Sequence, residues 1–264
     1  SSFGSKVTVV ERKETAIEVV DSEVSSILIK SLEKSGIKFI FGKEITEISG
    51  EKVLAGSEEV ASAKVILVTT READLTALKD VNLEISNGNV VADDKMLSSL
   101  KNIYVPGDVN GKNLLAHAAF KMGNIVASEI IEGKSDKYNN NIIPRAIYTY
   151  PEIGSVGITE EEAKKSYDVK VGKFNYGANG RALAHGDSSG MVKIISDARY
   201  GEILGAHIVG PRASELINEV SVLMQSEVIV EEAIKMVFGH PTFSEAIYEA
   251  IADVEGVSVH LPKK

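Results

Sequence analysis

Apolar residues along this chain alternate between unbroken runs and helical stripes. Residues 6 to 11 carry Val7, Thr8, Val9 and Val10, a β-branched run that reads as a buried parallel strand. From 21 to 35 the apolar positions are Val24, Ile27, Leu28 and Leu32, the spacing of one helix face. Asp21 suits the N-cap of that helix, and Gly36 suits the residue that stops it. Residues 37 to 41 form a second apolar run. Short hairpin strands fit 45 to 48 and 51 to 54, and 64 to 68 is a further apolar strand. Strand, helix, strand, ribbon and strand is the order of the latter part of a doubly wound α/β unit.

The pattern then changes. A short strand at 103 to 105 runs into Pro106-Gly107-Asp108. An Ala-rich helical stretch at 114 to 132 ends at Gly133, and the polar segment 134 to 141 reads as a linker. Beyond it, strands fit 147 to 149, 169 to 171, 190 to 195 and 204 to 209. Helices fit 159 to 165, 213 to 227, 230 to 236 and 243 to 253. Strands with helices packed against them make this an α+β module.

Composition narrows the classes of function. Twenty-nine Lys and Arg against 38 Asp and Glu leave a net charge of −9, so no basic surplus is available to neutralise phosphates, and a nucleic-acid partner is not expected. The basic pairs are Arg12-Lys13, Lys164-Lys165 and Lys263-Lys264. No apolar run reaches the roughly 18 to 20 residues of a membrane span, so no membrane partner is expected either. The N-terminal residues hold no signal-peptide core. The chain has no cysteine, which removes disulfides, thiolate metal sites and a cysteine nucleophile and makes the cytosol the default compartment. The five histidines show no metal-ligand spacing, so no metal site is expected.

Three places carry candidate chemistry. In a dinucleotide-binding unit, an acid at the end of the second strand binds ribose hydroxyls. Glu11 stands at such a strand end, but no Gly-rich phosphate loop precedes it; a solvated strand-end charge is the other reading. Gly107-Asp108 offers a hydroxyl acceptor beside backbone that a ligand can approach, or else it is a turn before a capped helix. His240-Pro241-Thr242-Phe243-Ser244-Glu245 places a histidine just ahead of a helix, with an acid five residues on. Glu245 can hold one imidazole nitrogen and leave the other to exchange a proton. The alternative is a structural histidine at a helix start. Among the other histidines, His207 sits on an apolar strand and reads as packed or edge, His185 reads as loop, and His260 is near the terminus, where it could meet a partner chain.

Four blocks in order complete the picture: residues 103–108 with Leu114-Leu115-Ala116-His117; Tyr148-Thr149-Tyr150-Pro151-Glu152-Ile153-Gly154 running on to Glu160; Ile203-Leu204-Gly205-Ala206-His207-Ile208-Val209-Gly210-Pro211; and His240 to Glu245. Together they resemble the C-terminal part of the flavin-dependent disulfide reductases. The tail Ala250-Ile251-Ala252-Asp253-Val254-Glu255-Gly256, with His260 beyond it, resembles the branch of that family that oxidises protein-bound dihydrolipoyl groups.

The resemblance implies a partial doubly wound dinucleotide-binding region followed by an α+β dimerisation domain. Residues 1–70 would be the second half of an NAD-binding domain, 71–137 the returning part of an FAD-binding domain, and 138–264 the interface domain of a homodimer. It implies FAD contacts from Gly107, Asp108, Leu114, Leu115, Ala116 and His117, and NAD contacts from Glu11 and Ile45. Thr70 falls at a further cofactor position, where the family usually carries Gly ahead of the Arg. His240, held by Glu245, would be the base toward the substrate thiol, acting across the dimer from the partner's flavin and disulfide. The implied partners are a missing N-terminal half, with the redox cysteines and phosphate loops, and a lipoyl-bearing carrier protein of a 2-oxoacid dehydrogenase or glycine cleavage complex.

Overall fold

A computed structural model describes residues 1–15 and 17–262; Lys263-Lys264 lies outside the described residues. In chain order the elements begin with β1 (Val7–Val10), α1 (Ser22–Lys34), β2 (Ile37–Ile40), β3 (Ile45–Ser49), β4 (Lys52–Ala55) and β5 (Glu58–Ala61). The hairpin β6 (Ile85–Ser86) and β7 (Asn89–Val90) comes next, then α2 (Ala116–Glu132), β8 (Arg145–Ile147), β9 (Glu152–Gly157) and α3 (Glu160–Ala163). The chain continues through β10 (Val169–Asn175), α4 (Gly180–His185), β11 (Met191–Asp197) and β12 (Ile203–Gly210), and ends with α5 (Ala213–Gln225), α6 (Val230–Ala233) and α7 (Glu245–Val254). Two compact units result, one from residues 1–65 with 144–264 and one from 66–143.

The larger unit is built on a five-stranded antiparallel sheet in the order β10-β11-β12-β9-β8. Every residue of β11 and β12 is buried, because helices cover both faces. On one face Val192, Ile194, Ala206 and Ile208 pack with Leu216, Ile217 and Val220 of α5 and Ala246, Ile247, Ala250 and Ile251 of α7. On the other face Met191 and Val209 pack with Val24 and Leu28 of α1. Strand alternation places Lys193 and His207 on the α1 face too, so two polar side chains are buried in an otherwise apolar layer (2% and 0% exposed). The helix α7 lies hard against β10: a Cβ at Gly172 would meet the Ala250 carbonyl oxygen at 2.0 Å.

In the same unit β1 and β2 pair in parallel, Val7 opposite Ile37 through Val10 opposite Ile40. The connecting helix is α1, capped by Asp21, whose carboxylate accepts the Glu23 amide, and closed near Gly36 at φ +85°. The predicted hairpin is a three-stranded ribbon, β3-β4-β5. Its third strand opens with two acids, Glu58 and Glu59, and carries only Val60 and Ala61 as apolar residues, so no apolar run marks it.

The smaller unit packs Met96, Ala118, Met122, Ile125, Tyr138 and Ile143 into its own core. The reading of 134–141 as a linker is corrected in part. Tyr138 is buried, its amide donates to the Asp94 carbonyl at 2.9 Å, and a 3-10 turn follows at Asn140–Ile142.

Other expectations are also corrected. Residues 64 to 68 form no strand, and Ile66, Leu67 and Val68 are exposed; an apolar run becomes a strand only when a neighbour supplies its backbone partners. The strand at 103 to 105 reduces to one bridge between Leu97 and Tyr104. The helix expected from 114 starts at Ala116. The strand expected at 147 to 149 is β8, ending at Ile147. A full strand, β9, runs through Gly154, Ser155 and Gly157, residues whose low strand propensity hid it.

Candidate functional site

The His240–Glu245 pair forms as the sequence predicts. Nδ1 of His240 lies 2.7 Å from Oε1 of Glu245, the first residue of α7. The other carboxylate oxygen accepts the Thr242 amide at 2.7 Å. Burial works to raise the Glu245 carboxyl, but the Thr242 N–H and the His240 ring outweigh it and hold Glu245 below the ordinary carboxylate range. A carboxylate on Nδ1 selects the ring tautomer with its proton there, leaving Nε2 as the outward acceptor. The acid is well covered and the imidazole is not, with side-chain exposures of 17% and 71%. An oriented, solvent-facing imidazole is the result.

Three contacts hold the turn that carries the pair. The Thr242 hydroxyl donates to the Gly239 carbonyl at 2.6 Å, and the Asn179 amide donates to the Thr242 carbonyl at 3.0 Å. Ser244 stands at the N-cap of α7, yet its hydroxyl makes no capping bond and donates instead to Glu219 of α5 at 2.7 Å. Asn179, Glu219 and Ser244 were not singled out by sequence reasoning. Ser244 alone carries a local signal, a hydroxyl at a helix start beside an acid.

One turn further along α7, Glu249 is buried and gathers the C-terminal tail. It accepts the Val259 and His260 amides at 3.0 and 3.1 Å, the His260 ring at 2.8 Å and the Ser258 hydroxyl. His260 is thus tied to its own helix. His185 is corrected from loop to the last residue of α4, edge-on to Phe243 at 5.8 Å. His207 is packed, with no exposed surface.

In the smaller unit Gly107 has φ +86°, a conformation that favours glycine. Asp108 lies next to it, 3.5 Å from the Arg71 guanidinium, which also donates to the Leu114 carbonyl at 2.7 Å. Leu115 is the N-cap of α2 and makes no side-chain capping bond; Ala116 and His117 open the helix. Gly107, Asp108, Leu114, Leu115, Ala116 and His117 are therefore brought together around one 17-residue helix start, an arrangement that attracts electron-rich or anionic groups. Thr70 lies in an exposed, irregular stretch of the same unit, next to Arg71.

In the larger unit Glu11 follows β1, its amide bonded to the Ile40 carbonyl at 2.9 Å and its carboxylate accepting the Lys13 amide at 2.9 Å. Ile45, 38% exposed, opens β3. Among the described residues no group of three acids, histidines or cysteines could hold a metal ion. Likewise, no helix among them is long and apolar enough to cross a membrane.

Comparison with known proteins gives one consistent answer. The family model described as pyridine nucleotide-disulphide oxidoreductase matches residues 1–123, and the model of that family's dimerisation domain matches 143–251. A dihydrolipoyl dehydrogenase of Rhizobium etli is 36% identical over 269 residues, covering 97% of this chain and 56% of the relative. One from Bacillus subtilis is 33% identical over 267 residues, covering 98% and 58%. The chain therefore spans little more than half the length of these curated relatives. Among solved structures, LpdA from Mycobacterium tuberculosis superposes with a TM-score of 0.87 at 22% identity, covering 94% of this chain and 56% of that one. A Cu(II) complex of the HOCl-induced flavoprotein disulfide reductase RclA from Escherichia coli superposes with a TM-score of 0.86 at 24% identity, covering 95% and 59%. At those identities the structures speak for the fold alone.

Proposed function

The chain belongs to the pyridine nucleotide-disulphide oxidoreductase family, as part of its C-terminal portion, and from that premise we propose that it is the C-terminal part of a dihydrolipoamide dehydrogenase. In this reading residues 1–70 complete an NAD-binding domain, 71–137 return to an FAD-binding domain, and 138–264 form the dimer interface. The observation that carries the reading is the His240–Glu245 pair, an exposed imidazole oriented at 2.7 Å by a covered carboxylate inside the dimerisation region.

Oxidation of a dihydrolipoyl dithiol to its disulfide releases two protons and an electron pair. FAD, when bound, passes that pair on toward NAD+. The residues of this chain supply the proton chemistry and the binding. His240 accepts the proton of a substrate thiol at Nε2, and the resulting thiolate attacks a disulfide sulfur, forming one S–S bond as another breaks. Glu245 keeps the ring in the tautomer that can do this. The chain has no cysteine, so the acceptor disulfide belongs to the N-terminal half of the enzyme.

The residues near Gly107 fit half of a flavin site. Asp108 is an exposed acceptor suited to a sugar-like hydroxyl, Gly107 leaves the backbone open, and the start of α2 has no side-chain cap. Glu11 suits the ribose hydroxyls of NAD, since an acid there would repel a 2′-phosphate, and Ile45 would lie against the adenine. Thr70 would be the next residue toward the cofactors. The absence of cysteine also favours a second reading, a dimerising fragment with no chemistry of its own. A glutathione-reductase-like enzyme is the nearest rival within the family. Mixing this chain with a separately made N-terminal half tests all three. Restored flavin absorbance with dihydrolipoamide-dependent NADH formation supports the proposal. Flavin binding with glutathione turnover instead would transfer it to the rival, and a dimer without flavin or turnover would leave only the fragment.

A further inference from the structure

Between α1 and the dimerisation sheet lies a group of charges shielded from solvent. Asp21, Lys193 and His207 are 1%, 2% and 0% exposed. The Lys193 ammonium contacts Asp21 at 2.8 Å, Glu160 at 2.7 Å and Glu23 at 3.1 Å. Glu23 is shared with Lys173 at 2.7 Å, and Glu160 with Lys164 at 2.5 Å. Asp21 also caps α1 and accepts the Glu160 amide at 3.3 Å. Beside this group, Nδ1 of His207 accepts the Asp21 amide at 3.2 Å, and Nε2 lies 3.2 Å from the Ile158 carbonyl. The second contact requires Nε2 to carry the proton, so Nδ1 is bare. Both nitrogens are committed, and the ring is neutral.

We propose that His207 is an acid-sensitive latch, holding the start of α1 on the dimerisation sheet only while its imidazole is neutral and releasing α1 when it takes up a proton. A proton on Nδ1 would turn an acceptor into a donor facing the Asp21 N–H, breaking the one bond His207 makes to α1. It would also place a second buried cation beside Lys193. The charged groups that face His207 are Asp21 from the start of α1, Lys193 from β11 and Glu162 from α3; Glu23 and Glu160 reach it through Lys193.

The direction of the pH dependence follows. Burial disfavours the charged ring and holds His207 below its ordinary value of 6.5, although the Ile158 carbonyl and the Asp21 carboxylate pull the other way. Its contribution to stability is therefore present above pH 6.5 and is lost as the pH falls through the lower folded value. Asp21 and Glu160 stay charged in that window. Burial tends to raise Asp21, but Lys193 outweighs it and holds Asp21 low, and Lys164 and Lys193 pull Glu160 down to about 2.

Hydrogen exchange of the 264-residue chain tests the latch. Amides of α1 are measured at about pH 7.5 and about pH 5, which bracket the histidine range, each corrected for intrinsic exchange. The expected result is a several-fold loss of α1 protection at the lower pH relative to amides of β11 and β12. That loss should vanish in H207Q, whose amide offers both an acceptor and a donor and cannot titrate. Unchanged α1 protection, or an equal loss in H207Q, overturns the latch. If H207Q does not fold, the 15N resonances of the wild-type His207 ring decide. Ring protonation and α1 release at the same pH support the proposal, and release at a different pH overturns it.

Discussion

The sharpest chemistry sits on one turn ahead of α7, where Pro241 and the helix start fix His240 opposite Glu245 at 2.7 Å. In the completed enzyme, H240Q is expected to lower dihydrolipoamide oxidation about 10²- to 10⁴-fold, the usual scale for a positioned acid–base group, as read from initial rates of NADH formation. E245Q should give a smaller loss, because the imidazole remains but its tautomer is no longer selected. Glu249 answers to a different measurement: E249A frees four hydrogen-bond donors of the tail, so residues 256–262 should become the first site of limited proteolysis. The first pair was legible because its members are five residues apart and the intervening proline and helix start set their geometry. Lys193 and Asp21 were not legible as partners: 172 residues separate them, and only the sheet places one opposite the other. His207 was readable as packed, but its two hydrogen bonds depend on β12 meeting α1 and Ile158.

At the level of elements, the apolar strands β11 and β12 and the helices α1, α5 and α7 fall close to where the apolar pattern predicts them. The misses share a cause. Residues 64–68 have the apolar content of a strand without a paired neighbour, whereas β9 has partners on both sides, β12 and β8, and needs little propensity of its own. The strand β5 is held by β4 despite its charges. Contact between α7 and β10 gives a direct test. G172A would force a Cβ into the Ala250 carbonyl at 2.0 Å, and the repacking should cost about 1–3 kcal/mol in urea unfolding. K193M should cost more, about 3–5 kcal/mol, because it strands the buried Asp21 carboxylate, whereas Glu160 keeps Lys164; equal stability of K193M and wild type would mean that the charge group contributes nothing to α1 docking.

For the molecule as a whole, the matched families and the fold agree on a partial dinucleotide-binding region joined to a dimerisation domain. The ordered blocks made that architecture legible in the sequence. The grouping of 1–65 with 144–264 was not, since it depends on α1 packing against strands far along the chain. Sedimentation of the chain should show a concentration-dependent dimer; a strict monomer at high concentration would count against residues 138–264 as an interface. The absence of cysteine bears on the central claim most strongly. In the proposed enzyme the reacting disulfide would then come from an N-terminal half, and this chain would supply the base. The direct measurement is therefore dihydrolipoamide-dependent reduction of NAD+ by the chain complemented with its N-terminal half, with H240Q alongside. The account predicts flavin-bound turnover that collapses in H240Q while flavin binding persists. A complex that binds flavin but leaves dihydrolipoamide unoxidised, or one whose turnover is indifferent to His240, would contradict it.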